Sequence, residues 1–131
     1  MRLLSSWLPV VLWAAIILSA ANDRFSDKQT EGWLERHFGR LPPEVNTLMR
    51  KGAHVGEYAI LSLLAWRARR TLATPLLVCL LVASADETLQ AMTPTRTGTP
   101  KDVMLDMCGA VGALIVVPAA RGRLVSRPRA E

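Results

Sequence analysis

The chain has 131 residues, of which 50% are hydrophobic and 21% are charged, and its formal net charge is +5. An intrinsically disordered chain is excluded, because disorder requires low hydrophobicity and high charge. Two cysteines are too few for a disulfide scaffold. The basic charge does not predict a nucleic-acid partner, because the apolar residues form blocks and the charges collect between them, as in a polytopic membrane protein.

The first apolar block covers residues 3–21 and contains no charged residue. As a helix it would be about 28 Å long, close to the roughly 30 Å thickness of a bilayer core. A cleaved signal peptide is the alternative, since Arg2 would supply its basic end and residues 18–20 resemble a cleavage site. We favour a retained helix, because the stretch is long for a signal peptide and Trp7 lies where an interfacial anchor is expected.

Three further apolar blocks cover residues 53–66, 75–92 and 103–120, and a basic tail follows at 121–131. Thr74 and Pro75 are predicted to be the N-cap and the first helical residue of the third helix. The three blocks carry ionisable residues, which inside a membrane usually face the interior of a helix bundle. The sequence therefore predicts an all-α fold, a single domain over 1–131 with four transmembrane helices.

The orientation is predicted from arginine and lysine in the short connections. Four spans place both termini on one side, together with the compact turn that holds Arg67, Arg69 and Arg70. We predict that this side is cytoplasmic. The connections at 22–51 and 93–102 then lie on the outer side.

The first outer connection contains a further helical pattern. Ser26 and Gln29 fit a capping box, and Pro42-Pro43 are predicted to end the helix. Its apolar side holds Trp33, Leu34, His37, Phe38 and Leu41. We predict a short helix resting on the outer membrane surface, with a lid over the bundle as the alternative.

Polar residues of three spans are expected at one outer depth, because antiparallel neighbours bring the start of one helix beside the end of the next. The residues predicted to form a ligand-binding site are Lys51, His54, Glu57 and Tyr58 of the second span, Asp86, Glu87 and Gln90 of the third, Arg96 of the following turn, and Asp102 and Asp106 of the fourth. A shared site is favoured because burying unpaired polar groups costs several kcal/mol. The alternative is separate ion pairs and snorkelling side chains, which fits at least as well for four of the residues: Lys51, Arg96, Lys101 and Asp102.

Small residues predict where helices come close together. Gly52, Gly56 and Ala59 form one face of the second span that suits close helix contact. Gly109 shares a face with Asp102 and Asp106, so it is expected to let a neighbouring backbone approach the two acids.

The predicted site carries more negative than positive charge. Its five carboxylates outnumber by two the fixed cations Lys51, Arg96 and Lys101. This excess is large for a dry site, so either some acids are protonated or a cation binds.

Three motifs in these segments resemble those of the VanZ-like family. They are Lys51-x-x-His54-x-x-Glu57-Tyr58-x-x-Leu61, then Asp86-Glu87-x-x-Gln90-x-x-x-Pro94-x-Arg96-x-Gly98, and then Asp102-Val103-x-x-Asp106-x-x-Gly109-x-x-Gly112. The motifs occur in the family's order, and the resemblance covers about residues 5–117. One position departs from the family pattern, which usually has asparagine where Asp106 stands.

The resemblance implies a small integral protein of the bacterial cytoplasmic membrane with about four helices. The founding member of the family is linked to low-level resistance to teicoplanin, a lipid-tailed glycopeptide. The partners that the resemblance implies are membrane lipid and a lipid-linked cell-wall precursor or an amphiphilic antibiotic. No metal and no cofactor are predicted.

Three functional hypotheses follow. The first is a non-enzymatic envelope protein that binds a lipid-linked or amphiphilic ligand at the outer leaflet or modifies access to the cell surface. In it, Lys51 and Arg96 would contact anionic groups. The acids that would orient these groups or hold an amine are Glu57, Asp86 and Glu87. The second is an enzyme acting on a lipid or peptidoglycan precursor, with His54 as general base or metal ligand and Glu57, Asp86 or Glu87 as its partner. The third is proton- or cation-coupled transport. The sequence lacks the catalytic motifs G-x-S-x-G and H-E-x-x-H, and their absence disfavours the enzyme hypothesis.

Overall fold

The computed structural model describes residues 2–21, 32, 35–37, 39, 42–93 and 98–125, and the side chains of 5–117 within them. In this part of the chain the fold is all-α, as predicted, and contains no strand. The long helices are α1 (Arg2–Ala20), α2 (Pro43–Ala68), α3 (Ala73–Ala91) and α4 (Pro100–Val125). They correspond in order to the four apolar blocks of the sequence.

Two of these helices begin earlier than predicted, and each begins at a proline. Pro43 is the first residue of α2, whereas the sequence prediction placed the start near residue 53. Proline suits this position because the first N–H of a helix has no partner and the ring fixes a helical φ. Pro100 begins α4 in the same way.

The start of α3 also differs from the prediction. Leu72 is the N-cap and Ala73 the first helical residue, so Thr74 is not the N-cap. Instead, the hydroxyl of Thr74 forms a hydrogen bond of 2.8 Å with the hydroxyl of Thr71. The two threonines close the tight turn between α2 and α3.

The first connection contains helical residues where a short helix was predicted. Residue 32 and residues 35–37 are helical, and Gly39 donates its backbone N–H to the Glu35 carbonyl at 3.1 Å. Gly39 has a φ of 78°, a left-handed conformation that commonly ends helices. The helix therefore ends at Gly39, before the prolines that were predicted to end it. The other residues of that prediction, Ser26, Gln29, Trp33, Leu34, Phe38 and Leu41, lie outside the described residues.

Helices α2, α3 and α4 form two successive hairpins, so α2 and α4 run parallel and α3 runs antiparallel to both. The core lies between them and α1, and it includes Tyr58, Leu61, Cys79 and Ala110. Trp13 attaches α1 to the bundle, because its indole N–H donates to the Glu57 carbonyl at 3.0 Å. This arrangement brings the start of α2, the end of α3 and the start of α4 to one end of the bundle.

The closest helix contact is that of α2 with α4 at Gly109. A Cβ on Gly109 would collide with the backbone carbonyl of Val55, so only glycine fits there. This confirms the close approach expected at Gly109. By contrast, a Cβ at Gly52 or Gly56 meets no atom within 4 Å, so the contact predicted for that face of α2 is not made within the described chain.

The bundle is polar inside at one end and apolar over much of its outer surface. Buried polar residues include Asp86, Glu87 and Asp106. Large apolar side chains are exposed on all four helices, among them Val11, Leu12, Ile16, Ile60, Leu77, Leu81, Met104, Ile115 and Val116. Soluble proteins usually show the reverse distribution.

Among the described residues, no helix has both the length and the apolar character needed to cross a membrane. The four predicted segments are confirmed as helices.

We expect Gly109→Ala to lower the free energy of unfolding by about 1–3 kcal/mol, because the added methyl group must push α2 away from α4. Gly112→Ala is the matched control, since a Cβ there meets no atom within 4 Å. The control should be neutral or stabilising by up to about 1 kcal/mol, because alanine has the higher helix propensity. Thermal unfolding followed by circular dichroism compares the two, and equal loss in both variants would contradict the packing argument.

Candidate functional site

A cavity of about 320 Å³ opens at the end of the bundle where α2 and α4 begin and α3 ends. The residues that line it are Thr47, Arg50, Lys51 and His54 of α2, Glu87 and Gln90 of α3, and Thr99, Lys101, Asp102, Leu105 and Asp106 at the start of α4. Six predicted site residues are among them, namely Lys51, His54, Glu87, Gln90, Asp102 and Asp106. The structure therefore places side chains of three helices around one cavity, and ligand binding by them stays a prediction.

The floor of the cavity consists of His54 and Asp106, with Asp86 beside them. His54 Nδ1 lies 3.4 Å from Asp106 Oδ1, which is an ion pair when the imidazole is protonated. Asp106 is fully buried, and neither of its oxygens accepts a hydrogen bond from the described residues. Two buried carboxylates face one imidazole here, so the floor needs further positive charge or a proton.

Asp86 is held in place by its own helix. Gln90, one turn later on α3, donates its side-chain N–H to Asp86 Oδ2 at 3.0 Å. Both residues are buried. This bond fixes the carboxylate, so that Asp86 stays directed at the neighbouring helices. One ligand-type atom from each of His54, Asp86 and Asp106 lies within 4.8 Å of the others.

Glu87 and Asp102 link α3 to α4. The Thr99 backbone N–H donates to Glu87 Oε2 at 2.8 Å, and the Thr99 hydroxyl donates to Asp102 Oδ2 at 2.7 Å. Thr99 precedes the first residue of α4 and accepts a 3.3 Å bond from the Asp102 N–H, which is the geometry of an N-cap. These two carboxylates therefore hold the start of α4 against the end of α3 by hydrogen bonds, which differs from the ion pair considered for Asp102.

The turn before α4 also requires glycine. A Cβ on Gly98 would collide with the backbone carbonyl of Glu87. The close approach of the turn to the end of α3 is what allows Thr99 to reach the Glu87 carboxylate. Arg96, which was predicted to belong to the site, lies in the same turn but outside the described residues.

Three described residues of the predicted site do not line the cavity: Asp86, which lies beside its floor, and Tyr58 and Glu57. Tyr58 is fully buried in the core, and its hydroxyl has no hydrogen-bond partner among the described residues. Glu57 is half-buried, and its backbone carbonyl accepts the bond from Trp13. Both lie in the next turn of α2, farther from the mouth than His54.

The rim of the cavity is cationic. Lys51 and Lys101 are exposed there and Arg50 is half-buried, whereas the carboxylates of Glu87 and Asp106 lie deeper. The site therefore has a positively charged mouth above an acidic floor. Such a mouth can bind an anionic group by charge-assisted hydrogen bonds.

The sequence analysis missed Thr47, Arg50, Thr99 and Leu105, and it counted Lys101 only as a charge. Thr47 and Arg50 were missed because α2 was predicted to begin near residue 53. A usable signal was present: Pro43 followed by Glu44 is typical of a helix start. A helix from Pro43 places Thr47 and Arg50 on the same face as His54.

Comparison with known proteins identifies the family. No curated protein matches the chain, and no solved structure matches it. A family model described as VanZ/LLP1 matches residues 6–121, a region that contains all three motifs, the cavity and, except for residues 3–5, the four apolar blocks. The match covers most of the sequence, and the chain therefore belongs to the VanZ/LLP1 family.

Proposed function

We propose that this protein is a membrane-embedded helix bundle of the bacterial cell envelope whose cavity binds the anionic headgroup of an amphiphilic, lipid-linked ligand. The observation that carries the proposal is the cavity itself, with a cationic rim at one end of a bundle whose sides are apolar. A ligand with a charged head and a hydrocarbon tail fits both surfaces.

The membrane location is supported by the distribution of polarity. Exposed leucine, isoleucine and valine side chains cover the sides of the bundle, where lipid tails would contact them without cost. The acids Asp86 and Glu87 of α3 and Asp106 of α4 are buried, as ionisable residues usually are in membrane proteins. These buried acids lower the average apolarity of α3 and α4 while the outer surface stays apolar.

The basic turn between α2 and α3 supports the orientation. Arg67 and Arg69 are exposed at the end of the bundle opposite the cavity, and Arg70 lies over the Trp66 ring at 4.4 Å from its centroid. Arginine and tryptophan together are typical of a membrane interface, and arginine in short turns favours the cytoplasmic side. The cavity then opens toward the outer leaflet of the cytoplasmic membrane.

The rim supports an anionic headgroup. Lys51 and Lys101 have no ion-pair partner among the described residues, and both reach the mouth of the cavity. Phosphate is the headgroup chemistry that such a pair binds best, because each ammonium group can donate several hydrogen bonds. Binding of a lipid-linked cell-wall precursor or of a lipid-tailed glycopeptide at this position would account for a role in glycopeptide resistance.

We expect the double variant Lys51→Gln/Lys101→Gln to bind a polyprenyl phosphate at least about tenfold more weakly than the unaltered chain. Each hydrogen bond to a charged group contributes about 1.5–3 kcal/mol, and 1.4 kcal/mol corresponds to a factor of ten. The measurement is microscale thermophoresis of the purified protein in neutral detergent micelles.

The matched control is Arg67→Gln/Arg69→Gln, which removes the same charge from the opposite end of the bundle and should leave the dissociation constant within about twofold. The corresponding polyprenol, which lacks the phosphate, should bind weakly to every variant. Equal weakening in both double variants, or equal affinity for the polyprenol, would rule out headgroup binding at this rim.

A second prediction concerns orientation. Green fluorescent protein folds in the cytoplasm, so a fusion of it after Arg70 should be fluorescent. Alkaline phosphatase is active only outside the cytoplasm, so a fusion of it after Arg70 should be inactive. Fusions after Thr93 should show the opposite pattern, because α3 separates the two positions. The same reporter being active at both positions would contradict the proposed topology.

A further inference from the structure

We propose that the floor of the cavity binds one divalent cation of the zinc or manganese kind, held by His54 Nδ1 and by the carboxylates of Asp86 and Asp106. These three residues come from three different helices, and the structure brings one ligand-type atom of each within 4.8 Å of the others. This metal site is a function in addition to the proposed headgroup binding, because a metal ion can bind there without any lipid.

The distance between His54 Nδ1 and Asp106 Oδ1 fits a shared metal better than a hydrogen bond. His54 Nδ1 and Asp106 Oδ1 are 3.4 Å apart, and neither atom has a hydrogen-bond partner among the described residues. Hydrogen bonds to a carboxylate are usually shorter, about 2.7–2.9 Å. Two ligands that are each about 2.0–2.1 Å from one tetrahedral ion lie about 3.3–3.4 Å apart.

Asp106 supplies an independent reason for a ligand. Its side chain is fully buried, both of its oxygens lack a hydrogen bond from the described residues, and it lines the cavity. A buried carboxylate without hydrogen bonds is costly, and metal coordination is one way to compensate its charge. A protonated His54 alone would offset only one of the two buried aspartates.

Gln90 supplies the supporting contact that metal sites require. Ligating carboxylates are usually oriented by a hydrogen bond from a neighbouring group. The Gln90 amide donates to Asp86 Oδ2 at 3.0 Å, and Gln90 also lines the cavity. The amide therefore fixes the carboxylate and faces the space from which a cation would enter.

The ligand types indicate the class of ion. One imidazole and two carboxylates suit zinc and manganese, whereas calcium and magnesium take oxygen ligands almost alone. The cavity above leaves room for a further ligand, such as water. With an ion bound, the acidic floor no longer repels an anionic headgroup at the rim, so this link to lipid binding rests on the proposed function.

The test is a zinc titration of the full chain, purified in neutral detergent and freed of metal with a chelator. Competition with a chromophoric zinc chelator gives the affinity and the stoichiometry. The unaltered chain should bind one zinc ion, and Asp106→Asn, which keeps the shape but removes the charge, should bind it at least about tenfold more weakly. The matched control Asp102→Asn, one turn earlier on α4, should stay within about twofold.

A second variant distinguishes the loss of the metal site from a folding defect. His54→Gln should lose zinc affinity like Asp106→Asn, and circular dichroism should show that both variants keep their helix content. Zinc should raise the melting temperature of the unaltered chain and of Asp102→Asn, but not that of the two site variants. Absence of a stoichiometric zinc site, or equal affinity in Asp106→Asn and Asp102→Asn, would overturn the proposal.

The lipid-binding proposal and the metal-binding proposal can be refuted independently of each other. Lys51→Gln/Lys101→Gln should bind zinc as tightly as the unaltered chain within about twofold, because neither lysine belongs to the set of ligands. Loss of lipid binding in that variant with zinc binding retained supports both proposals. A chain that binds the lipid but no zinc refutes only the metal site.

Discussion

The close approach of α2 and α4 at Gly109 is the constraint on which the rest of the site depends. The Val55 backbone occupies the space that a Cβ of Gly109 would need. One turn away, the same approach brings His54 within 3.4 Å of the fully buried Asp106. A wider spacing between the two helices would separate the imidazole from the carboxylate and open the floor of the cavity.

The carboxylates at this end of the bundle divide into two groups with different partners. Glu87 and Asp102 have backbone and hydroxyl donors around Thr99, so their charge is compensated by the start of α4. Asp106 has no such donors in the part of the chain that the structure describes, and Asp86 is oriented by an amide from its own helix. The first group holds α3 and the start of α4 together, whereas the second group carries negative charge that a bound ligand can compensate.

The functional proposals combine two features that seldom occur together in a soluble domain. The sides of the bundle expose large apolar side chains, and one end encloses buried acids below a cationic rim. Each feature alone has a simpler explanation, as a self-association surface or as a set of ion pairs. Together they match an amphiphile whose tail lies along the bundle and whose head enters the cavity.

The sequence alone determined the all-α fold, the order of the four helices and the residues expected to converge at one end, because apolar periodicity and hairpin connectivity place helix ends beside one another. Its motifs also indicated the family. The start of α2 and the use of Gly109 rather than Gly52 or Gly56 at the close contact were decided by the tertiary structure. The tertiary structure also decided which acids bond to the start of α4 and which lie at the floor of the cavity. Periodicity specifies which face a residue occupies, but packing decides which neighbour that face meets.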